Sequence, residues 1–328
     1  MTVSPRMPAT RQDARAHLQT LRDVLRYAVS RFEAAGLAYG QGTDNARDEA
    51  AWLVLWSLHL PPDSLAEWLD CRLTGSEIDA VLDLIERRCS ERLPAAWLTG
   101  EAWLRGLRFH SDARALVPRS LIAEALEESL GQWLGEGPPP WLDDRAWPAG
   151  WPASILDLCT GGGSLAICAA LLFPEAEVTG SDLSRDALAL AAENRALHGL
   201  DGRIRLLQAD LFDAVAGERF DLILCNPPYV NAASMAALPP EFQAEPALAL
   251  AGGADGMDLV RRLLDAAPAH LSDNGLLVVE IGHEAGHFEA AFPDLEFAWL
   301  PVTAGECMIV AATRAALDAR HATAPPDR

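Results

Sequence analysis

The sequence predicts an α/β fold: a mostly parallel sheet covered by helices on both faces, preceded by a small N-terminal helical domain. Three observations carry that prediction. From residue 154 onward, short apolar runs alternate with helical ones. Apolar strands separated by helices pair in parallel and are buried on both faces. Before residue 96 the apolar spacing is helical alone. Composition also changes near residue 150: residues 1–150 hold 16 Arg and 22 acidic residues, residues 151–328 hold 10 and 25, and nine of the ten tryptophans fall within 1–151.

The elements follow in order. Leu18, Leu21, Leu25, Ala28, Val29 and Phe32 fall on one helical face. A second helix is read from Asp44, carrying Trp52, Leu55, Trp56 and Leu58. Ser76-Glu-Ile-Asp79 reads as a capping box opening a third helix through Arg88. Residues 1–96 are therefore assigned to the helical domain. Residues 1–31 carry six Arg against Asp13 and Asp23, the pattern of a solvated helix face. Over 97–150 the sequence reads as a hairpin (Trp97, Trp103, Leu107, Phe109 and Val117 with Gly100 and Gly106) and a helix capped by Ser120. A Pro- and Gly-rich linker follows, which Trp141, Trp147 and Trp151 would pin. The main α/β domain spans 151–317. Its strands are read at Ser154–Leu158, Glu177–Gly180, Ile204–Gln208, Phe220–Cys225, Leu276–Ile281 and near 295–300 and 306–312, with helices over 164–172, 185–198 and 256–270. Residues 318–328 read as a disordered tail.

Composition excludes several chemistries. All 26 basic residues are Arg. Schiff-base and pyridoxal-phosphate catalysis need a lysine amine, and a P-loop needs a lysine on its phosphates. The net charge of −21 opposes general duplex binding and suits a cationic ligand or a basic partner. The six cysteines (71, 89, 159, 168, 225 and 307) form no C-x-x-C pair, as expected of reduced thiols in a cytoplasmic protein. No signal peptide is expected, and no run reaches the ~18 apolar residues of a membrane span.

Ligands of such sheets sit at the carboxyl ends of the strands, and the motifs are found there. In Ile155-Leu-Asp-Leu-Cys-Thr-Gly-Gly-Gly163 a strand ends in Asp157 and a glycine-rich turn opens a helix. An acid there repels pyrophosphate but suits a ligand carrying positive charge. The D-x-x-x-G-x-G form is the usual sign of S-adenosylmethionine (SAM) binding, with Gly161 and Gly163 allowing close backbone approach. Asp182 ends the next strand, where an acid can accept both ribose hydroxyls. Asp210 follows the third, where a carboxylate can accept from an adenine amino group. Three acids in register at successive strand ends are hard to explain as ordinary loop residues.

Asn226-Pro-Pro-Tyr229 directly follows the strand Phe220–Cys225. It is the signature of methyl transfer to a planar nitrogen, an amide or an exocyclic base amine. The lone pair of such a nitrogen is delocalised, so it is a poor nucleophile. The Asn226 side-chain oxygen and the Pro227 carbonyl can accept from the NH2, orient it and support the positive charge that grows there. Pro227 and Pro228 fix the backbone, and Tyr229 can pack over the planar group. A competing motif, His283-Glu-Ala-Gly-His287, matches the zinc-protease pattern H-E-x-x-H. It starts immediately after a strand rather than within a long helix. Gly286 weakens the helix that must align both rings, and a third ligand such as Glu296 or Glu306 would have to come from the late strands. No metal is expected.

At these residues the chain resembles the HemK-type protein-glutamine N5-methyltransferases, from about Trp97 to Val310. It is most similar to their PrmB branch, which methylates a glutamine of ribosomal protein three of the large subunit. The branch-like features are Trp97-Leu-Thr-Gly-Glu-Ala-Trp103, Val117-Pro-Arg-Ser120, Asp157-Leu-Cys-Thr-Gly161, Asn226-Pro-Pro-Tyr-Val230, Leu238-Pro-Pro-Glu-Phe242, Glu245-Pro246 and Ala254-Asp-Gly-Met-Asp-Leu-Val260. The release-factor branch more usually has Pro after the Pro-Arg and Gly in place of Cys159. The resemblance implies a SAM-dependent, Rossmann-like, mostly parallel seven-stranded sheet with a final antiparallel strand, and an N-terminal helical domain that helps choose the substrate. It assigns SAM contacts to Asp157, Gly161, Gly163, Asp182 and Asp210, and glutamine binding to Asn226 through Tyr229. Three departures stand out: Gly-Gly-Gly-Ser where the branch has Gly-Ser-Gly-Cys, Ala244 where a His usually precedes Glu-Pro, and His283 where the branch usually has Asn.

The expectation is SAM-dependent N5-methylation of a glutamine in a large-subunit ribosomal protein. The partner would present a basic, glutamine-containing loop, free or in an assembling large subunit, with no membrane and no direct DNA binding. The rivals are methylation of a release-factor glutamine, of an exocyclic base amine, or binding without catalysis as an assembly factor.

Overall fold

The computed structural model describes residues 10–130 and 152–323. The linker predicted around Trp141, Trp147 and Trp151 falls largely outside these residues. The chain divides into two compact units: residues 1–101 with Pro239–Ala244, and residues 102–238 with 245–328.

The larger unit is built on seven strands: β3 (Ser154–Leu158), β4 (Glu177–Asp182), β5 (Ile204–Gln208), β6 (Phe220–Cys225), β7 (Leu271–Glu280), β8 (Ala298–Trp299) and β9 (Ile309–Thr313). A separate two-stranded hairpin, β1 (Glu101–Leu104) and β2 (Leu107–His110), precedes them. The sheet order is β5-β4-β3-β6-β7-β9-β8. Strands β5 through β7 pair in parallel, and β9 runs antiparallel to both β7 and β8. Side chains alternate across the pleat. Ile155, Leu222, Leu224 and Val278 pack in one core layer with Leu165, Ile167 and Ala169 of the helix Ser164–Leu172. Leu156, Leu158, Ile223 and Val279 pack in the other with Val260, Leu263 and Leu264 of the helix Asp258–His270.

The structure departs from the sequence reading in places. Strand β4 runs two residues further than Gly180, because its pairing with β5 continues to Asp182 opposite Gln208. Strand β7 starts at Leu271 rather than Leu276, since Leu271 pairs with Phe220 across an irregularity in the register. Trp97 belongs to a short helix, Ala95–Thr99, and not to the hairpin. Residues 318–323, read as tail, continue a helix from Arg314 to Thr323. Leu317 of that helix is fully buried, and Arg320 pairs with Asp265 at 2.9 Å over the Phe292 ring.

The smaller unit is helical. The first predicted helix is broken: Arg11–His17 ends before Leu18, and Leu21–Ala35 starts afresh under a capping box of Thr20 and Asp23. The next helix, Ala46–Ser57, is capped by Asn45 and not by Asp44. The third runs Gly75–Glu91 and takes its box from Thr74 and Glu77, two residues before the Ser76–Asp79 reading, because the Thr74 hydroxyl is the one that reaches the Glu77 N–H. Leu21, Phe32, Leu53, Leu82 and Ile85 form its core.

One buried ionic cluster lies inside this core. Arg88, with no exposed surface, donates from Nε to Glu49 Oε1 (2.8 Å) and from Nη1 to Glu241 Oε1 (3.4 Å). Its Nη2 also donates to the Ala38 carbonyl at 3.0 Å. Glu241 comes from Pro239–Ala244 and accepts further from Arg92 and from the Ala38 N–H. Burial pushes Glu49 upward, and the Arg88 charge opposes it. Removing one member of such a cluster strands the others without a countercharge. Arg88→Met is therefore expected to cost about 3–5 kcal/mol. Replacing Glu49, Arg88 and Glu241 together by apolar residues should recover much of that. Urea unfolding followed by circular dichroism measures both; a loss below about 1 kcal/mol for Arg88→Met would sink the assignment.

Candidate active site

A cavity of about 680 Å³ opens in the larger unit at the carboxyl ends of β3, β4 and β6. That volume is in the range of sites for small organic ligands. Its position follows from the topology. Chain connections leave β3 toward β4 on one side and return beside it as β6 on the other, which opens a crevice between them.

The turn after β3 is its floor. Gly161 and Gly163 take left-handed backbone angles, φ 55° and 81°. Gly161 lies on the cavity wall, whereas Gly163 does not. A Cβ at Gly163 would stand 3.1 Å from the Ala191 Cβ, so this glycine serves to seat the turn on the helix Arg185–Leu197. Asn194 of the same helix, fully buried, donates to the Gly162 carbonyl at 2.9 Å. Asp157 is also fully buried and lies beneath the wall. Its Oδ2 accepts from Thr160 Oγ1 (2.5 Å) and the Ala166 N–H (3.0 Å), while Oδ1 has no partner. Asp157 thus holds the turn and the start of the following helix from below. Two non-glycine residues on the wall, Cys159 and Leu211, sit at φ 57° and 49°, a strain that rigid surroundings must hold.

Asp182 and Asp210 both line the cavity. Asp182 accepts from the N–H groups of Gly161 and Ser184, each at 2.8 Å, which fixes its orientation and leaves lone pairs for a ligand. Burial raises its pKa against those hydrogen bonds. Asp210 pairs with Arg262 of the opposite wall at 2.9 Å.

Of the Asn226–Tyr229 turn, Asn226 and Pro228 reach the wall and Pro227 and Tyr229 do not. The Asn226 carboxamide has no hydrogen-bond partner among the described residues. The turn is gripped from behind. Val230 N–H donates to Leu250 O at 2.8 Å, and Gly252 N–H to Val230 O at 2.9 Å. A Cβ at Gly256 would stand 2.2 Å from the Tyr229 carbonyl oxygen, and one at Gly282 2.6 Å from the Tyr229 ring. The Tyr229 hydroxyl donates to Glu280 Oε1 at 3.1 Å. Burial pushes both Glu280 and Tyr229 upward, and Ser120 is the strongest hydrogen-bonding counterweight at Glu280. Sequence reasoning missed Glu280 and Gly282, and quoted Gly256 and Glu245 only within motifs of the resemblance, without a role. Glu245 is buried and accepts from both Arg119 Nη groups at 2.7 Å and from the Val117 N–H at 3.0 Å. Glu280 had one signal available: an acid closing the apolar run Leu276–Val279.

The competing H-E-x-x-H residues sit elsewhere. His283 is exposed and precedes the helix Ala285–Ala291. Glu284 accepts from Asn231 Nδ2 at 2.6 Å and contacts His287 Nδ1 at 2.5 Å. Among the described residues no group of three or more His, Cys, Asp or Glu is placed to hold a metal.

A glycine turn, acids at successive strand ends and an Asn-Pro-Pro-Tyr loop around one cavity define a methyltransferase, and residues 148–250 match the family model "Methyltransferase small domain". Residues 23–100 match "PrmC N-terminal domain". Among curated proteins the chain is 58% identical to the ribosomal protein uL3 glutamine methyltransferase of Bordetella pertussis, over 93% of this chain and 98% of that one. It is 53% identical to the Burkholderia pseudomallei protein of the same name (88% and 92% covered) and 47% identical to that of Neisseria meningitidis serogroup A (92% and 95%). The chain belongs to the ribosomal protein uL3 glutamine methyltransferase family.

The cofactor of this enzyme class is SAM, and the residues present fit it. The cavity has the size, and Asp182 and Asp210 offer acceptors on its wall. Burial, reinforced by the Asp182 charge, pushes Asp157 up to about 7 against the hydrogen bonds from Thr160 and Ala166. The unfolded value is about 3.9. A folded pKa above the unfolded one means that the ligand-free protein binds the extra proton. Stability from Asp157 is therefore complete below about pH 4 and is lost as pH rises to about 7. Asp157→Asn is expected to flatten that segment of the stability profile. Urea titrations of wild type and variant from pH 5 to 8 test this; parallel profiles would refute it.

Proposed function

We propose that this enzyme transfers a methyl group from SAM to the side-chain amide nitrogen of a glutamine in ribosomal protein uL3. The observation that carries the reading is Asn226: a carboxamide with no hydrogen-bond partner among the described residues, on the cavity wall at the end of β6, in a turn stiffened by Pro227 and Pro228. SAM supplies an electrophilic methyl on a sulfonium that leaves as a neutral thioether. The chain supplies orientation. Asn226 Oδ1 on the wall accepts from the glutamine NH2, and the Pro227 carbonyl, set back from the wall, is the second acceptor once the amide is seated beyond it; together they turn its lone pair toward the methyl and stabilise the charge that develops on nitrogen. No base is needed, because the nitrogen acidifies as it is alkylated. Asp157, Gly161, Gly163, Asp182 and Asp210 hold the cofactor, Asp157 and Gly163 by shaping the turn.

The partner fits the charge. The half of the chain that carries the cavity holds 25 acidic residues against 10 Arg, which attracts a basic ribosomal protein and repels nucleic acid. The glutamine lies on a basic loop of that protein, free or in an assembling large subunit. Residues 1–96 help to select it. The work takes place in the cytoplasm, and no described helix is long and apolar enough to cross a membrane.

Asn226→Ala is expected to lower turnover on uL3 by about 100-fold or more, the scale of losing one transition-state acceptor, while SAM affinity measured by calorimetry stays within about twofold. A normal turnover rate would remove Asn226 from the mechanism. Mass spectrometry of ribosomal proteins from a strain lacking this chain should show one uL3 glutamine peptide without its methyl group. Loss of methyl from a release factor or from nucleic acid instead would redirect the assignment.

A further inference from the structure

Glu280 stands at the carboxyl end of β7, is 4% exposed and has no part in the transfer chemistry above. Its carboxylate gathers donors from two cavity-forming segments. Oε1 accepts from the Tyr229 hydroxyl at 3.1 Å. Oε2 accepts from Ser120 Oγ at 2.6 Å and from the Leu121 N–H at 3.0 Å. Ser120 lies on the cavity wall in the segment that begins at Val117, and Tyr229 closes the turn that presents Asn226. The Tyr229 ring has no room to swing, because Gly282 brings backbone against it and Gly256 brings backbone against its carbonyl. A hydroxyl committed to a buried carboxylate is not offered to substrate.

We propose that Glu280 is a positioning residue of the methyl transfer: it ties the Val117–Ser120 wall to the Asn226–Tyr229 turn and so holds the Asn226 acceptor at the distance the target amide needs. The assignment rests on Asn226 as the amide-binding residue. A displacement of about 1 Å at a reacting centre costs on the order of 100-fold in rate, so a tie that acts only through position is visible in kcat.

The test is steady-state kinetics on uL3 with Glu280→Gln, Tyr229→Phe and the double variant, with SAM stoichiometry and affinity by calorimetry. Gln cannot accept from all three donors: its oxygen can serve Ser120 and Leu121, but its NH2 then faces Tyr229, and the charge-assisted bond from the hydroxyl is lost. Each single variant is expected to lower kcat by about 10-fold or more with SAM affinity and stoichiometry unchanged, and the double to fall no further than the slower single. A merely structural role would reduce the fraction of protein that binds SAM and give losses that multiply. Normal kcat in Glu280→Gln, or multiplied losses, overturns the proposal. If Glu280→Gln does not fold, Ser120→Ala and Tyr229→Phe cut the same tie, and normal kcat in both overturns it equally. Asn226→Ala, run alongside, separates the two readings. A normal rate there removes the amide-binding assignment, whereas a slow Asn226→Ala beside a normal Glu280→Gln removes only the tie.

Discussion

Parallel pairing of β3 with β4 on one side and β6 on the other is the constraint on which the site depends. Parallel neighbours cannot be joined by a tight turn, so each connection must travel over a face of the sheet. At β3 the connections diverge and leave a crevice between them. The loops that follow β3, β4 and β6 then stand side by side around it. Asp182 and Asn226 reach one cavity although 44 positions separate them in the sequence, because β4 and β6 flank the same strand. No further folding device is needed to bring the glycine turn and the Asn226–Tyr229 turn together. Each loop need only be held stiff.

Two kinds of contact supply that stiffness. In one, missing side chains let backbone come close to its neighbours: Gly163 to Ala191, Gly256 to the Tyr229 carbonyl and Gly282 to the Tyr229 ring. In the other, a buried carboxylate takes several donors at once. Asp157 does so under the glycine turn, Glu245 behind Val117 and Arg119, and Glu280 between Ser120 and Tyr229. A buried acid is costly unless its lone pairs are filled, so each ties down whatever fills them. The helical unit uses the same device at Arg88, where Glu49 and Glu241 converge from distant parts of the chain.

What was legible in the sequence is what local rules decide. Strand limits at Ser154–Leu158, Ile204–Gln208 and Phe220–Cys225 agree with the structure, because each is an apolar run bounded by turn residues. The acids and the Asn-Pro-Pro-Tyr turn were readable for the same reason: strand ends mark where ligands bind. Helix starts were off by one or two residues at Asn45 and Thr74, since several neighbours carry capping side chains and only three-dimensional reach chooses among them. Partners far apart were invisible. Arg88 and Glu241 are separated by 153 positions and Ser120 and Glu280 by 160, and no periodicity links them. Gly163 was read as a cofactor glycine, and its packing on Ala191 could not be known before the helix was placed.

The charge of the larger unit gains meaning from how its arginines are used. Arg114 is held by Asp112 and Glu193, Arg119 by Glu245, and Arg262 by Asp210, so each arginine on the cavity wall is already paired. These guanidiniums brace the wall and add little positive field to the cavity. Asp182 beside it is less fully matched, meeting only backbone N–H groups. Asp182 therefore biases the wall toward a cationic ligand, as the sulfonium cofactor of this enzyme class is. That bias comes from arginines spent on carboxylates and from a chain with no lysine to offset them.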